Sequence, residues 1–109
     1  MTVSELSEKL SLRSLALPKG DREFDGVYIG DLLSWVMGRA EANNLWITIM
    51  SNINIIAVAA LTDVAAILLA EGVTLDESVI NTAREKGINV LSTDMTAYEL
   101  VKELTSIEQ

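Results

Sequence analysis

The stretch from Leu45 to Gly72, LWITIMSNINIIAVAALTDVAAILLAEG, concentrates the strongly apolar residues of the chain and carries only two carboxylates, Asp63 and Glu71. Read as one run it has the length of a membrane span, but polar residues interrupt it at Thr48, Ser51, Asn52, Asn54, Thr62 and Asp63. No uninterrupted window reaches the roughly 18 apolar residues that a spanning helix requires. The block therefore divides into strand, turn, helix and strand, and forms the centre of a core. Leu45 to Ile49 reads as a strand, with Trp46, Thr48 and Met50 on one side and Leu45, Ile47 and Ile49 on the other. Ser51 or Asn52 can cap a helix over Ile53 to Leu61, with Ile55, Ile56, Ala59 and Ala60 covering one face. Because Ile and Val are poor helix formers, a hairpin competes, with Ser51-Asn52 as its turn and Ile53 to Ala59 as a second strand. Val64 to Ala70 is a near-continuous apolar run, the pattern of a central strand covered on both faces.

The flanks fit around this block. Thr2 with Glu5 three residues on has the spacing of a capping box, and Leu6 and Leu10 follow at helical spacing. Residues 3–10 are thus a short helix, expected to cover a sheet edge. Leu12 to Leu17 alternates as a short strand, and PKGDREFD, residues 18–25, is a polar surface loop holding the single proline. Lys19, Gly20 and Arg22 could hold a phosphate there, although a solvated turn accounts for them more simply. Phe24 to Ile29 resumes as a strand. Asp31 then stands where a helix cap is wanted, ahead of an amphipathic segment through Leu32, Leu33, Trp35, Val36 and Met37 to Gly38-Arg39-Ala40. Trp35, with Met37, is expected in the core or at an interface between two copies.

Beyond Gly72, Asp76 caps a helix over Glu77 to Lys86 that turns Val79, Ile80 and Ala83 inward and ends at Gly87. Ile88 to Leu91 is a strand, and a last helix runs from Thr96 through Tyr98, Leu100, Val101 and Leu104. Strands alternate with helices over short connections from about residue 25 onward. The expected fold is a single α/β domain over residues 1–109, with a mostly parallel central sheet and flanking helices: an N-terminal helix and strand in 1–17, the polar loop 18–25 and a core in 26–104.

Composition narrows the function. A net charge of −8, from 16 acidic against 8 basic residues, disfavours nucleic acid and anionic membrane, since both reward clustered Lys and Arg. With no cysteine and no histidine, thiolate nucleophiles, imidazole bases and the zinc sites built on them are excluded. No glycine precedes Lys-Ser or Lys-Thr, so there is no phosphate-cradling P-loop, and Gly26, Gly30 and Gly38 do not make a dinucleotide fingerprint. A Ser–Lys pair would need a lysine in a site, whereas Lys9, Lys19, Lys86 and Lys102 read as surface. The N-terminus, MTVSELSEK, lacks a basic segment followed by an apolar one, and a cytoplasmic location is expected. No cofactor and no metal is expected. A metal-dependent enzyme using Asp63, Glu71, Asp76 or Asp94 is the remote alternative, because caps and loop solvation explain those carboxylates.

In a parallel sheet, ligands bind beyond the carboxyl ends of the strands. That rule selects Met50-Ser51-Asn52 with Asn54 behind it, Ala70-Glu71-Gly72, and Ser92-Thr93-Asp94. The candidate ligand-binding residues are therefore Met50, Ser51, Asn52, Asn54, Glu71, Gly72, Ser92 and Thr93, and the helix N-terminus near Ile53 offers free backbone N–H groups to a polar or anionic ligand.

Four markers occur in order: VYIGDLLSWVM, WITIMSNINIIAVAA, ILLAEGV and GINVLSTDMTAYE. Together they make residues 26–104 resemble the DRTGG domain, which accompanies CBS domains in some inorganic pyrophosphatases and occurs in bacterial phosphotransacetylases. They are also similar to the N-terminal, non-kinase domain of HPr kinase/phosphorylase. TVSELSEKLSLRSL extends the likeness over nearly the whole chain, toward small stand-alone clostridial-type members. The resemblance implies an α/β fold with a helix after the Ser51-Asn52 turn, frequent homodimerisation and a non-catalytic regulatory role. It thus implies a homodimer that binds a small molecule such as a nucleotide, or docks on a partner enzyme; a ligand-free interaction or scaffold subunit is the alternative. Where the family commonly has a Gly-Asp-Arg type turn, this chain has Ser51, Asn52 and Ile53, so the charged part of that motif is absent.

Overall fold

A computed structural model describes residues 1–107. Its elements, in chain order, are α1 (Val3–Lys9), β1 (Arg13–Ala16), β2 (Val27–Ile29), α2 (Leu33–Arg39), β3 (Leu45–Thr48), α3 (Asn54–Thr62), β4 (Ala66–Leu69), α4 (Glu77–Lys86), β5 (Val90–Ser92) and α5 (Ala97–Ile107). The strands form one sheet in the order β1-β5-β4-β3-β2. β2, β3, β4 and β5 run parallel, and β1 closes the far side antiparallel to β5. The fold is the expected α/β arrangement with a mostly parallel sheet.

Each parallel strand lies beside the one before it, so the crossovers step in one direction and their helices share a face. Val36 of α2, Ile55, Ile56, Val58 and Ala59 of α3, and Val79 and Ala83 of α4 pack there on Trp46, Ile67, Leu69 and Val90. The opposite face carries Leu45, Ile47, Ala66, Leu68 and Leu91 under Val3 and Leu6 of α1 and Leu100 and Leu104 of α5. Alternation along β3 therefore divides its side chains as expected. Central strands buried on both faces explain the unbroken apolar runs, and every residue from Val64 to Ala70 is buried. The indole of fully buried Trp46 donates to the Gly30 carbonyl at 2.9 Å, so its one polar atom is satisfied.

Local chemistry fixes the ends. Thr2 Oγ1 accepts from Glu5 N–H at 3.1 Å while the Glu5 carboxylate accepts from Thr2 N–H at 2.9 Å, a complete capping box on α1. The segment after the turn is helical, α3 from Asn54 to Thr62, which decides helix over hairpin; its N-cap position is Ile53, with no side-chain cap, and Asn52 Oδ1 accepts from Asn54 N–H at 2.9 Å just ahead of it. Gly87 ends α4 at φ 72°, where a side chain would be strained.

Several expectations are corrected. α1 lies on a face of the sheet and not along an edge, since Val3 and Leu6 join the core over β3, β4 and β5. The strand expected from Phe24 shrinks to Val27–Ile29, because Phe24 N–H donates to Met1 O, Asp25 N–H to Asn43 O, and Glu23 bridges to Thr2. Ala60 is exposed and Val58 takes its place in the buried face of α3. Neither Asp31 nor Asp76 caps through its side chain. The strand read as Ile88 to Leu91 is shifted to Val90–Ser92. No helix among the described residues is long and apolar enough to cross a membrane.

Candidate functional site

The parallel register brings the exits of β2, β3, β4 and β5 to one edge of the sheet, so the three turns selected from the sequence lie along it. At the β3 exit, Met50 is half-buried against the core and its N–H donates to Thr48 Oγ1 at 3.2 Å. Ser51, Asn52 and Asn54 are exposed. The Asn52 amide oxygen is engaged at the start of α3, which leaves its NH₂ facing outward as a donor.

The β4 and β5 exits are built differently. Chain leaving β4 passes to the α2–α4 face and chain leaving β5 to the α1–α5 face, a divergence that normally opens a crevice. Here backbone bonds close it: Glu71 N–H donates to Met95 O at 2.8 Å and Gly72 N–H to Thr93 O at 2.9 Å. Glu71 and Gly72 both have positive φ, 59° and 76°, and Val73 N–H returns to Ala70 O at 3.2 Å, the pattern of a tight I′ turn. Ser92 is buried and its Oγ accepts from Arg13 Nε at 3.1 Å, while Thr93 Oγ1 accepts from Met95 N–H at 3.2 Å. Ser92 and Thr93 thus hold the edge together, and Ser51, Asn52, Asn54 and Glu71 are the candidates left with groups facing solvent.

Two residues that the sequence reading did not place at this edge belong to it. Asp31 accepts from the Thr48 hydroxyl at 2.7 Å and from Ile49 N–H at 3.0 Å, and so joins the β2 exit to the β3 exit. With Thr48, Glu71, Ile29, Ile49 and Ala97 it lines a shallow cavity of about 90 Å³. Arg13 arrives because β1 is antiparallel, which puts its first residue at the carboxyl edge. Its guanidinium pairs with Asp94 at 2.9 Å, and that contact holds the Asp94 carboxyl below its ordinary pKa and lifts the Arg13 pKa. The i to i+3 spacing of caps hid Asp31, and the antiparallel first strand, which brings Arg13 here, has no local signature in sequence.

Among the described residues named at this edge, the charges are three carboxylates, Asp31, Glu71 and Asp94, and one cation, Arg13, which is already paired with Asp94. Such an edge suits neutral donors and acceptors or a cationic group better than a polyphosphate. The phosphate reading of the 18–25 loop meets a similar obstacle, because Arg22 is tied to Asp63 at 3.0 Å and Asn43 at 3.0 Å. Trp35 and Met37 lie on α2, about half exposed, with the Arg39 guanidinium 3.9 Å over the Trp35 ring.

The family model of the DRTGG domain matches residues 20–107. A comparison with curated proteins gives no match. Among solved structures the chain is similar to the CBS and DRTGG domains of the regulatory region of Clostridium perfringens pyrophosphatase, complexed with its activator diadenosine tetraphosphate. The TM-score is 0.72 at 14% identity, over 93% of this chain and 44% of that one. The chain therefore spans less than half of that structure, and the likeness is one of fold. The order of strands and helices and the match over residues 20–107 agree: the chain belongs to the DRTGG domain family.

Proposed function

We propose that this chain is a non-catalytic regulatory module of the cytoplasm, acting as a homodimer that senses a small molecule at the carboxyl edge of its sheet. The observation that carries the reading is membership of a family whose domain stands, in the C. perfringens pyrophosphatase, within a regulatory region complexed with a nucleotide activator. The solvent-facing groups at Ser51, Asn52, Asn54 and Glu71 are the ones offered to a ligand, and the surplus of carboxylates favours contact with a nucleobase and ribose over contact with phosphates. Docking on a partner enzyme is how such a signal would leave the module. The second reading, a ligand-free interaction subunit, is favoured by the exposed apolar residues around Trp35.

A thermal-shift series with adenosine, AMP, ATP, diadenosine tetraphosphate, acetyl phosphate and divalent ions tests this. A ligand at 100 times its Kd stabilises the folded state by about 2.7 kcal/mol, a shift of roughly 12 °C for a domain of this size. Asn52→Ser keeps an oxygen to start α3 and removes the NH₂ donor, so the shift should shrink while the ligand-free melting temperature holds. If no nucleotide or nucleoside shifts a firmly dimeric protein, ligand sensing fails and the interaction subunit stands. A shift seen only with a divalent ion would favour metal-dependent chemistry instead.

A further inference from the structure

We infer that two copies of this chain pair through the outer edge of β2, antiparallel about a dyad at Tyr28, to make one continuous sheet across the dimer. This rests on the homodimer of the proposed function and names its surface.

β1 occupies one end of the sheet and β2 the other, where nothing among the described residues covers it. On the inner side of β2, Leu45 N–H donates to Gly26 O at 3.0 Å and Gly30 N–H donates to Ile47 O at 3.2 Å. In a parallel ladder the engaged residues alternate, so Gly26, Tyr28 and Gly30 face β3 and the backbone groups of Val27 and Ile29 face outward. A second β2 laid antiparallel with Tyr28 opposite Tyr28 sets Val27 opposite Ile29 in both directions. Each of these pairs then exchanges both of its outward N–H and C=O groups. The register is self-complementary, as an isologous contact demands.

The side chains agree with the backbone. Val27 is 39% exposed and Ile29 52%, on the sheet face that α1 and α5 leave bare at this end, and Leu32 at 60% and Trp35 at 54% flank the strand from the start of α2. Natural edge strands of monomers are usually guarded by charge, Pro or a bulge, whereas the segment from Gly26 to Gly30, GVYIG, has none of these. Charge favours a second copy over an acidic surface elsewhere on the chain. In a molecule of net charge −8, Asp31 is the only carboxylate between Gly26 and Ala40, and it is turned onto Thr48 and Ile49. The main rival surface is the outer side of α3, where Ile53 and Leu61 border an apolar groove beside α4. It offers side chains and no open strand edge.

Sedimentation and light scattering over a roughly hundredfold range of concentration read the outcome directly. The wild-type chain should be dimeric, Ile29→Lys and Ile29→Pro should be monomeric with unchanged circular dichroism, and Leu61→Asp should stay dimeric. Neither Ile29 variant disturbs a bond made within one copy, since the Ile29 N–H points outward. Because the chain has no cysteine, Tyr28→Cys supplies a single thiol at the dyad, where opposed Cα atoms about 4.5 Å apart suit a disulfide, and mild oxidation should trap a covalent dimer. A dimer that survives both Ile29 substitutions overturns the β2 surface and leaves homodimerisation standing. Loss of the dimer in Leu61→Asp alone moves the interface to α3. A wild-type chain that is monomeric throughout removes the homodimer itself.

Discussion

Asn89 is the residue on which the amino-terminal loop hangs, and replacing it with alanine gives the sharpest test of the packing described above. It is 2% exposed, immediately before β5, and its amide makes three bonds. Nδ2 donates to Lys19 O at 2.8 Å and to Ala65 O at 3.0 Å, and Oδ1 accepts from Lys19 N–H at 2.9 Å. In Asn89→Ala the two Lys19 groups lie at the surface and regain water, so each loss is about the net value of one hydrogen bond, near 1 kcal/mol. Ala65 is 2% exposed, and its carbonyl would lose the amide that caps it, for about 1–2 kcal/mol more. The sum is roughly 3–4 kcal/mol. With an unfolding entropy of about 2.1 cal/mol/K per residue, the melting temperature should fall by roughly 13–17 °C. Thermal and urea unfolding of wild type and variant measure this, with the urea midpoint falling and its slope unchanged. Asn89→Asp keeps the acceptor for Lys19 N–H but sets a carboxylate against two carbonyl oxygens. Burial and those oxygens raise its pKa in the folded state, so its deficit should shrink as pH falls through that raised value. A drop of less than about 4 °C in Asn89→Ala would refute the reasoning, because a single surface hydrogen bond accounts for that much.

The remaining predictions concern the candidate edge. Gly72→Ala places a Cβ 3.3 Å from Asp94 Oδ1 on a residue at φ 76°, and thermal unfolding should show a loss of about 1–2 kcal/mol. An unchanged melting temperature would mean that the turn adapts without strain. The pKa of Asp94 is lowered by its bond to Arg13 and that of Glu5 by the bonds from Thr2, so both stabilise the fold above their unfolded values, about 3.9 and 4.3. That stability is lost as pH falls through the lowered folded values. Stability measured from pH 6 down to pH 2 should therefore decline across the acid range, and Arg13→Gln should make the decline shallower. The same slope in both proteins would sever the link to the pair.

Most of the fold was legible because its signals are local. Leu45 to Ile49 and Val64 to Ala70 could be strands of little else than a sheet covered on both faces, and Glu77 to Lys86 lies between a helix start and Gly87, a residue that tolerates φ 72°. The Ser51-Asn52 turn left helix and hairpin open because the propensities of Ile and Val oppose what tertiary packing selects. Asp31 was misplaced for a related reason: a carboxylate ahead of a helix looks like a cap, while its partners, at the end of β3 and just past it, are 17 and 18 residues away. Asn89 gave no signal at all, since its partners lie on Lys19 and Ala65 and only the assembled sheet brings them together. At the candidate site, topology placed the turns on one edge, but the bonds their side chains make are decided by the folded geometry. Ser92 and Thr93 look free in sequence and are occupied in the structure.

The first strand and helix have a bearing on what counts as the inheritable unit. The family match begins at residue 20, whereas α1 and β1 precede it and are integral to the sheet and core. Excising residues 20–107 as a portable domain would strip the antiparallel partner from β5 and leave a hole over Leu45, Ile47 and Leu91 where Val3 and Leu6 sit. The fragment would carry a raw, sticky border at each end of its sheet in place of one. In any fusion or transplant, the border that matters is set by the strand that terminates the sheet and not by the span over which sequences look alike.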